Sequence, residues 1–194
     1  MNNKTIFHLA RHGQTQWNVE QRIQGQFDSL LTTTGEAQAL QLAKDCESLN
    51  ITQILTSCLG RAQHTAIICA QRLQTEAKIV KGIEERNYGT WQGKLTAEKQ
   101  TDDKYTEITS QITDCKPEQG ESAKQLLARF ENTLKQQFTE TPDETYLIIT
   151  HGDSLRCFMA QFSEGEAACT GYDYKNGQLI SLIYDHRTGC FSLL

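Results

Sequence analysis

The sequence has no apolar run near the ~18 residues that a membrane helix requires. A single Lys precedes Thr5-Ile6-Phe7, and His8, Arg11 and His12 then break the apolar stretch, which is not the pattern of a secretory leader. Basic residues are not in excess: 19 Lys and Arg face 24 Asp and Glu, a formal charge of −5. That balance argues against a nucleic-acid binder, whose footprint is basic, and against attachment to anionic lipid through polybasic patches. None of the seven cysteines stands in a Cys-x-x-Cys spacing, so no zinc ribbon or thioredoxin-like pair is indicated. They read as small buried hydrophobes of a reducing compartment, and a cytoplasmic location is expected. The phosphate-cradling Gly-x-x-x-x-Gly-Lys-Ser/Thr loop, the dinucleotide Gly-x-Gly-x-x-Gly turn and the Gly-x-Ser-x-Gly nucleophile elbow are all missing.

What remains is an alternation of short β-rich runs and helical patterns. Thr5–Ala10, Gln53–Thr56, Lys78–Val80 and Tyr146–Thr150 read as strands, the last continuously apolar and so of the buried kind. Helices are expected from a cap at Thr34 to about Leu49, with Ala37, Leu40, Leu42 and Ala43 inward, and over Arg61–Leu73 with Ala62, Ala66, Ile67, Cys69 and Ala70 mostly inward. A third is expected over Glu121–Phe138, and a fourth from Asp153 or Ser154. A hairpin is expected around Arg187-Thr188-Gly189. The pattern implies an α/β fold in one domain, residues 1–194, with a mostly parallel central sheet flanked by helices. Residues 92–120 read as a small polar insertion holding one or two weak helices.

Three polar clusters follow strand ends: Arg11-His12, Arg61 and His151. In open α/β sheets ligands bind beyond the carboxyl ends of strands, where these three could meet. Arg offers a planar fork matched to phosphate oxygens, and His can act as nucleophile, acid–base or charge donor. Backbone N–H groups at Gly13, Gly60 and Gly152 could add donors, Asn18 an uncharged hydrogen bond, and Glu84 or Glu85 a carboxylate for proton transfer. Taken singly each is more often structural; three strand ends carrying them together point to an anion site. A metal site is disfavoured, since His8 and His12 on a strand lie roughly 13 Å apart and cannot share an ion.

The segment Leu9-Ala10-Arg11-His12-Gly13-Gln14-Thr15-Gln16-Trp17-Asn18 resembles the signature of the histidine phosphatase superfamily, the phosphoglycerate mutase-like proteins. Arg22-Ile23-Gln24-Gly25, Ser57-Cys58-Leu59-Gly60-Arg61-Ala62, Glu85-Arg86-Asn87-Tyr88-Gly89, Gly120-Glu121-Ser122 and Thr150-His151-Gly152 continue the resemblance in order. It implies that His12 is the nucleophile that becomes phosphohistidine, with Arg11, Arg61 and His151 around the phosphoryl group. It implies Glu85 as proton donor, four residues before Gly89, and no cofactor or metal. Gly13, Asn18, Gln24, Gly25, Tyr88 and Gly152 would contact substrate, a small phosphorylated metabolite.

Two departures bear on the reaction. Glycolytic mutases of this family are longer between the third motif and Gly-Glu-Ser, and there carry paired basic residues that grip a second anionic group. Here that segment has scattered Lys94, Lys99, Lys104 and Lys116 and no Arg, which favours a phosphatase of small monoesters, broad in specificity or acting on ribazole phosphate. A mutase and a non-catalytic phosphate-binding protein are the alternatives. Asp153 stands where Gly or Asn is commoner, and its carboxylate would repel a dianion unless it points away or caps the next helix.

Overall fold

A computed structural model describes residues 3–141, 143–162 and 174–194. Six strands form one sheet in the order β3-β2-β4-β1-β5-β6. The strands are β1 (Lys4–Arg11), β2 (Gln53–Thr56), β3 (Ala77–Ile79), β4 (Tyr146–Thr150), β5 (Leu179–Asp185) and β6 (Cys190–Leu193). The first four run parallel and the last two add an antiparallel edge. This is the expected α/β class.

Period-two alternation sends side chains to both sheet faces. Phe7 and Leu9 of β1, with Tyr146 and Ile148 of β4, join the core beneath α6 (Ala123–Glu140) and α7 (Gly152–Met159). Ala10, Leu147 and Ile149 join the core beneath α2 (Thr33–Asp45) and α3 (Gly60–Leu73). Both faces of β4 are therefore covered, and all five of its residues are buried. That is why YLIIT is uninterruptedly apolar.

Several boundaries differ from the sequence expectations. The cap of α2 is Thr32, not Thr34: its hydroxyl accepts from the Gly35 N–H at 3.0 Å. The buried stripe is accordingly Gly35, Ala39, Leu42, Ala43 and Cys46, and Ala37 and Leu40 face solvent. Ile67 on α3 is likewise half exposed. Strand β3 is shifted by one residue toward the N-terminus. Of the cysteines, Cys46, Cys69 and Cys157 are buried, whereas Cys58 and Cys190 are exposed, and Cys115 lies between; Cys169 lies outside the described residues. No described helix is long and apolar enough to cross a membrane.

The polar insertion contains two short helices, α4 (Thr96–Lys99) and α5 (Tyr105–Ser110), as the weak pattern implied. It is anchored by Arg86, fully buried, which donates to the carbonyls of Ile108 (2.5 Å), Cys115 (3.1 Å) and Glu121 (2.8 Å). Tyr88, Trp91 and Tyr105 stack in succession, with ring centroids 6.4 and 6.0 Å apart.

Candidate active site

The strand order puts the carboxyl ends of β2, β4 and β1 side by side, so Arg61, His151 and Arg11-His12 converge. Beyond these ends opens a cleft of about 520 Å³. Arg11, His12, Asn18, Gln24, Gly25, Arg61, Glu85, Tyr88 and Gly152 line it. Of the residues expected from sequence, Gly13 and His151 do not line the cleft. The His151 ring lies behind His12, 5.2 Å between centroids.

His12 is held at both nitrogens. Its Nδ1–H donates to the Gly13 carbonyl at 2.8 Å, leaving Nε2 as a lone pair that accepts from Arg61 Nε at 3.1 Å. Which nitrogen carries the proton follows from these partners. Burial, then the charges of Arg61 and Arg11, push the His12 pKa well below the usual imidazole value, so the ring is neutral at physiological pH. The second histidine is wholly buried and also shifted well down, by burial first and then by Arg61. His151 Nε2 meets the Ser57 hydroxyl at 2.8 Å, and its Nδ1 has no partner among the described residues.

Arg61 is nearly inaccessible, at 2 % exposure. Its Nη1 donates to the Phe27 carbonyl (2.7 Å) and Asp28 (3.2 Å), its Nη2 to the Gly25 carbonyl (2.7 Å). Asp28 also accepts from the backbone N–H groups of Gly60 and Arg61, so a carboxylate from the irregular loop caps α3, whose own cap residue Leu59 has no side-chain bond. The Gly60 N–H is thus engaged, and so is that of Gly13, which donates to Thr65 Oγ1 at 3.0 Å. Neither is available to a ligand, contrary to the sequence expectation. The role of Gly13 is close approach: a Cβ there would stand 2.3 Å from the Gly35 carbonyl oxygen. Gly152 similarly makes room for Arg11, whose guanidinium carbon would lie 3.2 Å from a Cβ.

Glu85 sits at the start of α7. It accepts from the backbone N–H groups of Arg86 (2.9 Å), Asp153 (3.2 Å) and Ser154 (3.1 Å). Burial, then the nearby Asp153 charge, nevertheless raise its pKa. Arg129 of α6 holds this loop by donating to the carbonyls of Gly82, Glu84 and Glu85 at 3.0, 2.9 and 3.0 Å. The Asp153 carboxylate is occupied. It accepts from the Tyr88 hydroxyl at 2.9 Å, pairs with Arg156 Nε at 2.5 Å and faces Arg86 at 3.6 Å.

Sequence reasoning missed Arg156 and Arg22, which line the cleft, as do Thr96, Tyr105 and Thr109 of the insertion. Arg156 could have been found from helical spacing, since it lies four residues beyond Gly152 on the same face of α7. The four insertion lysines line a separate cleft with Trp91 and Pro117. No group of His, Cys, Asp and Glu suited to a metal ion exists among the described residues.

A probable phosphoglycerate mutase GpmB of Cronobacter sakazakii is 36% identical over 155 residues, covering 79% of this chain and 72% of that protein. The YhfR structure of Bacillus stearothermophilus superposes with a TM-score of 0.87 at 30% identity, covering 97% of this chain and 95% of that one. A phosphoserine phosphatase of Entamoeba histolytica, solved with 3-phosphoglyceric acid, superposes with a TM-score of 0.80 at 25% identity over 97% of this chain and 94% of that one. The model of the histidine phosphatase superfamily, branch 1, matches residues 7–193. With the site geometry above, that match makes the chain a member of the histidine phosphatase superfamily, branch 1.

Proposed function

We propose that the protein is a phosphatase that hydrolyses small phosphate monoesters through phosphohistidine at His12. The observation that carries this is the His12 geometry: a neutral ring, oriented through Nδ1, with the Nε2 lone pair beside Arg61 in a cleft that also holds Glu85. Nε2 attacks phosphorus in line, the P–O bond to the alcohol breaks, and Glu85 gives its proton to the departing oxygen. Arg11 and Arg61, which line the cleft, stabilise charge on the phosphoryl oxygens, and the Nδ1 of buried His151, unpartnered among the described residues on a ring that packs against His12, is a further donor beside them. Ionised Glu85 then takes a proton from water, which attacks phosphorus and releases inorganic phosphate and free His12. A raised Glu85 pKa suits the first step, and the backbone N–H groups around it suit the ionised form between steps. No step calls for a metal or cofactor, so turnover should survive EDTA.

Hydrolysis is favoured over mutase chemistry because the insertion brings only uncharged Thr96, Tyr105 and Thr109 to this cleft, while its lysines line another. A mutase must retain a bisphosphate while it turns over, which calls for a dense second cationic grip. The similarity to GpmB proteins motivates the mutase alternative. A panel of phosphate esters, followed in parallel for free phosphate and for 2-/3-phosphoglycerate exchange, separates the two. Phosphate release abolished in His12→Ala is the expected result. Exchange without release would replace the phosphatase by a mutase, and full activity in His12→Ala would remove the nucleophile assignment.

A further inference from the structure

The insertion borders two clefts of similar size. The second, of about 530 Å³, is lined by Lys94, Lys99, Lys104 and Lys116. Residues 92–120 hold six acidic side chains against these four lysines, yet only Asp102 and Glu118 line the cleft. The fold therefore sorts the charges: a segment acidic in sequence encloses a cavity where cations outnumber anions two to one. Several of the acids are engaged locally. Asp114 pairs with Lys124 at 2.7 Å, Glu98 accepts from the Leu95 N–H at 3.1 Å, and Asp102 accepts from the Lys104 N–H at 2.9 Å. None of the four lysines forms an ion pair among the described residues, and Lys99 lies 6.0 Å over the Trp91 ring. Gathering unpaired cations about one cavity opposes the compact state by self-repulsion, which a bound anion relieves.

We propose that the lysine cleft is an effector site for an oligophosphate, a chain of two or more linked phosphates, free or as the tail of a nucleotide. The donors select the class. Each ammonium is a point charge with rotatable donors, which suits phosphate oxygens, whereas a planar carboxylate is matched by the Arg fork that this cleft lacks. The lysines stand before α4, in α4, at the cap of α5 and after α5. An anion whose charge is distributed along a chain can meet several of them at once, and the volume is that of a pocket for a whole small molecule. Helix α5 is the partition between the clefts. Lys104 and Ile108 line the lysine cleft, whereas Tyr105 and Thr109 line the active one. Trp91 lines the lysine cleft and stacks on Tyr88 and Tyr105, both of the active cleft. An anion held by Lys104 thus restrains a wall of the active cleft and acts on substrate binding.

The test titrates the intact protein with tripolyphosphate, ATP and citrate by calorimetry. Both phosphates should bind, at least about tenfold more tightly than the carboxylate citrate. ATP binding tighter than tripolyphosphate identifies a nucleotide tail, and ATP binding no tighter identifies the free chain. In K94Q/K104Q/K116Q, which leaves Lys99 on Trp91, tripolyphosphate binding should weaken by about tenfold, the combined effect of three modest charge pairs. K44Q/K78Q/K135Q changes the net charge equally through lysines that line neither cleft, and should bind as the unaltered protein does. Saturating orthovanadate, a single phosphate-like anion for the active cleft, should leave tripolyphosphate binding in place. In turnover, tripolyphosphate should lower KM for a phosphate ester by about fivefold, the low end of typical coupling between sites, and should not do so in K94Q/K104Q/K116Q. The binding measurements need no turnover, so they decide the site even if the phosphatase reading fails. Citrate bound as tightly, an equal loss in K44Q/K78Q/K135Q, or displacement by orthovanadate overturns the proposal. An unchanged KM removes the effector role, and a raised KM marks competition at the active cleft; either result overturns it as well.

Discussion

At the residue scale, Glu85 is the most informative side chain, because the proposed reaction asks one carboxyl to serve as acid and then as base. Burial and Asp153 raise its pKa, while the Arg86 N–H, the Arg61 charge and the Asp153 N–H moderate the rise, so the two forms are brought closer in energy. Proton donation matters most when the leaving group is a poor one. Glu85→Gln should therefore lower kcat for an alkyl phosphate by about 10²–10⁴-fold, the usual contribution of general acid catalysis. The phosphorylation step with p-nitrophenyl phosphate, seen as a burst of nitrophenol in rapid mixing, should fall far less. Equal losses on both would remove the acid role. The motif resemblance nominates Glu85, but the environment of its carboxyl is not legible there. Asp153 illustrates the difference: next to His151-Gly152 in sequence it looks like a dianion repeller, yet Arg156, Arg86 and Tyr88 occupy its carboxylate.

At the scale of elements, the chemistry depends on how helices are terminated. Helix α6 is closed by Ser122 and Gln125 in a reciprocal capping box, local in sequence and readable there. Helix α3 is capped from a distance by Asp28, which also pairs with Arg61. A cap that lies 33 residues from Arg61 leaves no spacing to read. Asp28→Ala should cost about 0.5–2 kcal/mol, the range for a lost N-cap. For a chain of this size that lowers Tm by about 2–4 °C per kcal/mol, read by calorimetry. Because the same carboxylate steadies Arg61, kcat/KM should fall too, by about tenfold, whereas Ser122→Ala should lower Tm and leave kcat/KM within about twofold. If Asp28→Ala changes Tm alone, the coupling between cap and site is absent. The displaced stripe on α2 has a related cause. Propensity and apolarity favoured Leu40, but the cap at Thr32 sets the phase, and that phase turns Gly35 and Ala39 to the sheet.

At the scale of the whole molecule, three histidines are folded in as neutral rings. Burial lowers the pKa of His8, and burial with nearby Arg charge lowers those of His12 and His151 further. Below the usual imidazole value near 6.5 the unfolded chain binds protons on these groups that the folded chain refuses. Glu85 acts in the opposite sense, because the fold keeps a proton that the unfolded chain releases above about 4.5. Three groups against one leave the unfolded state with more protons, so stability should rise with pH from about 5 to 6.5. Urea titrations at intervals across that window check the slope, and His151→Gln should flatten it; a stability that is level or falls with pH would contradict the sign. The −5 charge takes its meaning at this scale as well. It describes the surface, while Arg11, Arg61 and Arg156 gather at one cleft. What the sequence determined alone is what rests on short-range regularity: the α/β alternation, the strand YLIIT, the hairpin, and motif residues attached to strand ends. Only the tertiary structure decided which lysines leave the cleft, which N–H groups are already engaged, and that Arg156 enters it. Those outcomes depend on pairings between residues far apart in the chain, and they are set by strand order and by the requirement that buried polar groups find partners.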